Sequence, residues 1–295
     1  MLLVADWAHQ LCCAGVFCAG VFQWCKKGMR LVPVADSHCH ASPVWYEPVE
    51  SLLDQMDRNG VEHAVLIQMM GQYDNGYQFA CVQRFPGRFA PVVLVDTQQP
   101  DAAAELARLA GVGASGVRLQ AATRSPGDDE LAIWHAAARR GLTVSCAGSA
   151  AEFASAPFAS LVQALPGLPI VIEHLGSLGQ PRGNAVETET IERVFALARF
   201  PNVLMKVTGF GEFSRRAMPV TQPSPFEPPP PDLLERACAA FGPDRLMWGS
   251  DYPPVSSREG YSNALNWPRD RLAGQGSTAL NAIFGGTALR AFPVR

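Results

Sequence analysis

From residue 34 onward the chain repeats one local grammar eight times: a short β-branched, apolar run ends in polar residues or glycine and gives way to an amphipathic stretch. The strand-type runs are 34–40, 63–69, 89–96, 114–120, 142–148, 169–176, 202–209 and 245–251. Between them lie helical patterns such as EPVESLLDQMDRNG, DAAAELARLAG, EFASAPFASLVQALPG and PDLLERACAAFG, and ALNAIFGGTALRAF closes the chain. Several carry acidic residues at their start and end at glycine or proline, as helix caps and the helix dipole favour. Strict alternation of strand and helix calls for parallel strands joined by right-handed crossovers. Eight repeats close a barrel, so the sequence predicts an α/β fold, a single-domain (β/α)8 TIM barrel over residues 31–295. The rival, an open doubly wound sheet, would carry a Gly-rich nucleotide turn after the first strand, where this chain has HCHASP.

Residues 1–30 fall outside this grammar. They are apolar but include Asp6 and His9, and their basic residues follow the apolar run, the reverse of a secretory signal. No uninterrupted apolar stretch of about twenty residues is present to span a membrane. The expectation is a disordered or non-native extension, with Met29 as an alternative start. A chain that is 48% hydrophobic and 17% charged, with net charge −3, is neither disordered nor built to hold a polyanion, so no nucleic-acid or membrane partner is expected. The eight cysteines form no CxxC pairs and read as free thiols of a cytoplasmic protein. A homo-oligomer is compatible with the sequence, which does not set the oligomeric state.

A barrel builds its site at the carboxyl ends of its strands and in the loops that follow. His38 and His40, two apart at the end of the first strand, project to one face and suit shared coordination of a cation. His174 is expected to end the sixth strand and Asp251 the eighth, which neighbours the first once the sheet closes. Three of the six histidines thus collect at one rim with a carboxylate, while His63 opens a strand at the other rim and His135 lies in a helix. Four polar side chains without a shared role would be costly to bury.

The runs D-S-H-C-H (36–40), I-E-H-L-G (172–176) and W-G-S-D-Y-P (248–253) resemble the markers of the amidohydrolase superfamily, in its amidohydrolase-2 branch. Residues 68–96, 116–119, 202–209 and 283–292 are similar to a lactonase-like subgroup that includes sugar lactonases and 2-pyrone-4,6-dicarboxylate lactonase. The resemblance spans residues 34–292 and implies a hydrolase that opens a lactone or related ester. Asp251 would be general base and then acid, and His38, His40 and His174 would polarise the carbonyl. Two-metal members carry a lysine on the fourth strand and a histidine on the fifth, where this chain offers Arg118 and Cys146. The resemblance therefore implies at most one divalent ion held by His38, His40, His174 and Asp251, with Zn2+ favoured and Mn2+ the alternative. Metal-free catalysis stays open, because some lactonases of this subgroup hold no metal.

The expected partner is a small molecule, a lactone or carboxylic acid. Arg118 is a candidate for binding a substrate carboxylate, against the alternative of an internal salt bridge. Lys206 faces either the site or the helical layer. Gln68 and Asn75 are candidate substrate contacts, although Y-D-N-G also forms a turn that would explain Asp74 and Asn75. Ser214, Arg215 and Arg216 are weaker candidates, Asp36 is expected to share the inward face and orient a ligand, and Cys39 and Cys146 are packing residues. The competing functions are a metal-dependent decarboxylase or hydratase of an unsaturated or aromatic carboxylic acid, and a non-catalytic ligand-binding barrel.

Overall fold

The structure, a computed structural model, describes residues 32–179, 186–214, 216, 218–219 and 232–294. The expected N-terminal extension, Arg215 and the proline-rich run 220–231 lie outside these residues. Eight parallel strands pair in chain order: β1 (Ala35–Cys39), β2 (His63–Ile67), β3 (Phe89–Val93), β4 (Gly116–Gln120), β5 (Thr143–Ala147), β6 (Ile170–Ile172), β7 (Val203–Val207) and β8 (Leu246–Trp248). Past the end of β8 the chain returns to β1, with Asp251 N–H donating to His38 O and His40 N–H to Tyr252 O, both at 2.8 Å. The (β/α)8 barrel predicted from the repeats is the architecture observed.

Alternation along the strands sorts two cores. Ala35, Val65, Ile67, Ala90, Val92, Val171 and Met247 pack inside the barrel together with Phe292. The opposite faces, including Leu66, Val93, Leu119, Ile172 and Trp248, pack against the helices. Phe292, from the end of the chain, fills the barrel under β4, where a Cβ on Gly116 would lie 2.5 Å from Thr143 O and 3.0 Å from the Phe292 ring. Ser115 Oγ and Thr143 Oγ1 donate to Pro293 O and Ala291 O, fixing this plug. One end of the barrel is thereby filled, leaving the carboxyl ends of the strands for a cavity.

The outer helices follow the apolar spacing. Val49–Arg58 buries Val49, Leu52 and Met56 on one face, with Glu50 in its first turn and Arg58 in its last. Two local expectations change. The 152–167 pattern is two helices, Ala150–Phe153 and Ala156–Ala164, because Ser149 forms a capping box with Glu152 and Ser155 caps the second. A helix the apolar pattern did not announce, Tyr261–Arg271, follows β8; Pro268 and a polar composition hide it. No helix of the described residues is long and apolar enough to cross a membrane.

Candidate active site

His174 and Asp251 do not sit on strands. β6 ends at Ile172 and β8 at Trp248, and both residues adopt left-handed backbone conformations, φ 50° for His174 and 58° for Asp251. Such conformations cost on the order of 1–3 kcal/mol each outside glycine and persist where the surroundings enforce them. The expected strand-end positions are thus corrected to tight turns just beyond the strands, which aim the side chains across the barrel mouth. Asp36 also departs from expectation. The β1 register shifts between Asp36 and Cys39, and Ala35, not Asp36, faces the interior core. The Asp36 carboxylate accepts from His38 N, Ser250 N, Ser250 Oγ and Tyr261 Oη at 2.6–3.1 Å. It ties the turn carrying Asp251 to β1 rather than orienting an imidazole.

The four expected residues converge. Nε2 of His38 lies 3.7 Å and Nε2 of His40 3.6 Å from Asp251 Oδ1. The His38 ring stands 4.6 Å from that of His174 and 5.0 Å from that of His40, centroid to centroid. His40 Nδ1 lies 2.8 Å from Ile67 O, which accepts its ring N–H, and Nε2 faces the carboxylate. His40, His174 and Asp251 line a cavity of about 630 Å3 with Tyr46, Arg118, Glu212 and Arg258; His38 lies fully buried just beneath.

Under that floor runs a charged network. Lys206 is inside the barrel, where its Nζ lies 2.9 Å from His38 Nδ1 and donates to Ser145 Oγ at 2.7 Å. Ser145 donates to Glu173, whose carboxylate takes the Arg118 guanidinium through two N–H groups at 3.2 and 2.8 Å. Burial alone would raise the Glu173 pKa, but Arg118, Lys206 and His174 outweigh it and bring it down to about 2. Burial lowers Lys206 to about 8. Burial and the Lys206 charge hold His38 well below the ordinary imidazole value, so it is neutral. For His174 burial also pulls downward, yet Glu212, Asp251 and Glu173 raise it. Asp251 resists burial in the same way and is held low by His40, His174 and Arg258.

A family model described as Amidohydrolase matches residues 36–294. The chain belongs to the amidohydrolase family. It is 29% identical over 231 residues to a 4-sulfomuconolactone hydrolase of Hydrogenophaga intermedia, covering 76% of this chain and 69% of that one. A Pseudomonas putida structure described as a candidate 2-pyrone-4,6-dicarboxylic acid hydrolase superposes with TM-score 0.68 at 25% identity, over 90% of this chain and 99% of that one. A zinc-bound amidohydrolase from Burkholderia multivorans has the same fold, with TM-score 0.71 at 19% identity over 90% and 100% of the two chains.

Within this amidohydrolase the other sequence-derived candidates divide. Arg118 lines the cavity while its fork is engaged by Glu173, the internal salt bridge held open above, and its Nη1 donates to Gln68 O at 3.1 Å. Lys206 is inside but fully buried, touching His38 rather than the cavity. Gln68 and Asn75 are not brought to the cavity, a correction to the expected substrate contacts. The Gln68 amide binds Asp74 O and Met69 N, and that of Asn75 binds Tyr73 O and both backbone groups of Leu94. Asp74 accepts from Gly76 N in the turn that Y-D-N-G foretold. Ser214 is buried and Arg216 exposed, and neither lines the cavity. The thiols of Cys39 and Cys146 are buried among packing residues. His63 and His135 bind Gly87 O and Asp129 away from the cluster.

Sequence reasoning missed Glu173, Ser145, Glu212, Arg258 and Glu259. Glu173 had a signal: a charge between Ile172 and His174 at the end of an apolar strand needs a buried partner, and Arg118 and Lys206 were the inward cations available. Glu212 and Arg258 lie in loops without periodicity. Glu259 is wedged against the α-carbons of Gly209 and Gly211, where any Cβ would lie 1.9 Å from its carboxylate oxygens. Burial raises its pKa from 4.5 to about 7, against the opposing pull of Arg258. A carboxyl held protonated in the fold but ionised in the unfolded chain lowers stability as pH rises from about 4.5 to about 7. Glu259→Gln is therefore expected to stabilise the protein by about 1–3 kcal/mol at pH 8 and by little at pH 4. Thermal unfolding of both proteins across that range checks the sign.

Proposed function

We propose that this amidohydrolase opens a lactone or related ester ring by hydrolysis. The observation that carries the reading is the convergence of two imidazole Nε2 atoms on one free carboxylate oxygen, Asp251 Oδ1, at the floor of a cavity. Asp251 Oδ1 takes a proton from the attacking water as its oxygen bonds to the ester carbonyl carbon. The resulting oxyanion is met by His174, whose raised pKa favours a charged donor, and by His38. Lys206, as an ammonium donating to His38 Nδ1, leaves the ring proton on Nε2, the nitrogen that faces the reaction. The carboxyl proton of Asp251 then passes to the departing alkoxide as the ring C–O bond breaks, leaving a hydroxy acid. The names of the 4-sulfomuconolactone hydrolase and the 2-pyrone-4,6-dicarboxylic acid hydrolase support a lactone substrate bearing an anionic group. A second cavity of about 280 Å3 adjoins the first through Met70 and Arg118 and is lined by Arg124, Thr123 and Gln98, groups able to receive such an anion.

The donor set also suits one divalent ion. His38 Nε2 is buried without a hydrogen-bond partner, and His38, His40 and Asp251 place ligand atoms within 4.8 Å of one another. Tetrahedral donors around one zinc ion stand roughly 3.4 Å apart, close to the 3.6 and 3.7 Å seen here. The Ile67 carbonyl on His40 Nδ1 is the type of outer contact that ligating histidines carry. With the ring proton of His38 on Nδ1 and Lys206 neutral, His38 Nε2 would hold the ion together with His40 and Asp251, His174 beside them, and the ion would supply Lewis-acid polarisation of the ester carbonyl. Zn2+ suits the imidazoles, with Mn2+ the alternative.

The test is a pH-indicator screen of neutral and carboxylated lactones, with and without prior chelation and metal analysis. Acid release coupled to ring opening is the expected result, with activity lost on chelation if an ion takes part. Release of carbon dioxide from unsaturated or aromatic acids, with every lactone left intact, would replace this reading by the decarboxylase one.

A further inference from the structure

Two charged side chains at the cavity wall take no part in the reaction derived above. Arg258, seven residues after Asp251 in the loop beyond β8, places Nη1 2.9 Å from Asp251 Oδ2 and also in contact with Glu212 Oε1. Glu212, in the turn after β7, turns its other oxygen toward His174 Nδ1 at 3.5 Å. Glu212 and Asp251 are both 6% exposed, and the Glu259 carboxyl stands 3.5 Å from Arg258 Nε. Without a cation between them, the Glu212 and Asp251 carboxylates would repel one another in a poorly hydrated wall.

The chain Asp251–Arg258–Glu212–His174 joins the loops after β6, β7 and β8. Asp251 and His174 lie beyond their strands, so the barrel pleat does not orient their side chains. The ion pairs do. With Oδ2 on Arg258, only Oδ1 of Asp251 faces His38 and His40. With Nδ1 turned to Glu212, the other His174 nitrogen, Nε2, is left for the cavity that His174 lines.

We propose that Arg258 and Glu212 are the positioning pair of this site, Arg258 fixing the free oxygen of Asp251 and Glu212 fixing the ring of His174. The kinetic part of the test rests on the lactonase reading; the structural part does not. On the lactone that the wild type opens, Arg258→Ala is expected to lower kcat about 10²-fold with KM changed little, as small misplacements of reacting groups do. Added guanidinium ion should restore part of that loss, which a fold damaged at a distance would not allow. Glu212→Gln keeps the shape but not the charge and should lower kcat about tenfold, and the double variant should lose less than the product of the two losses. Arg258→Lys, which keeps a cation, should fold and fall between wild type and Arg258→Ala.

Crystal structures of Arg258→Lys and Glu212→Gln provide the readout that needs no substrate: the Asp251 carboxylate should turn in the first and the His174 ring in the second. Unmoved side chains in both variants, or a folded Arg258→Ala enzyme with wild-type kcat, would overturn the proposal. If the side chains turn while the wild type opens no lactone, the positioning role stands and the lactonase reading falls.

Discussion

Asp251→Asn is expected to leave a folded protein whose turnover falls about 10³-fold below wild type, the size of effect that loss of the proposed general base would produce. The substitution is informative because it changes little else. Asp251 has φ 58°, and asparagine tolerates left-handed backbone better than other non-glycine residues. The amide can still meet Arg258, which keeps Glu212 as its counter-charge. Far-UV circular dichroism and thermal unfolding should therefore match wild type while kcat collapses. Turnover near the wild-type rate would remove Asp251 from the chemistry.

Glu173→Gln is expected to act on the fold. The carboxylate is 1% exposed and answers Arg118 directly and Lys206 through Ser145. Neutralising it leaves two buried cations without their nearest anion, and breaking a buried pair typically costs about 3–5 kcal/mol. For a barrel of this size that corresponds to a fall in Tm of roughly 10 °C. The pH dependence has a definite sign. Glu173 titrates near 2 in the fold against an ordinary 4.5, so its contribution is present above about pH 4.5 and is lost as pH falls toward 2. The gap between wild type and variant should be wide at pH 7 and shrink below pH 4. Equal stability at pH 7 would mean that the Arg118 and Lys206 charges are answered elsewhere.

His174 shows how the sequence succeeds and where it stops. Its place at the cavity followed from putting a polar side chain at the end of an apolar run, and that inference needs only the period of a strand. Its geometry did not follow, because β6 stops at Ile172 and the next residues reverse into left-handed turns. Asp36 failed for a related reason: a register shift in β1 breaks the two-residue alternation on which its inward placement rested. Arg118 and Lys206 were legible as inward cations but not as tenants of one network, since their partners arrive from elsewhere in the chain, Glu173 just past the end of β6 and Ser145 from β5. Gln68 and Asn75 had the composition of ligand contacts, and the turn after β2 took their amides for its own backbone.

By itself the sequence determined the eightfold strand and helix alternation, the barrel it closes into, and the rim where three histidines and an aspartate meet. These are local quantities, set by side-chain periodicity and by the carboxyl-end rule of parallel barrels. Only the tertiary structure decided which oxygen of Asp251 is free, which nitrogen of each histidine faces it, and which buried charges answer one another. Those features depend on contacts between residues tens to hundreds apart in the chain, where Coulomb and hydrogen-bond energies act over a few ångströms of space and leave no period in the sequence.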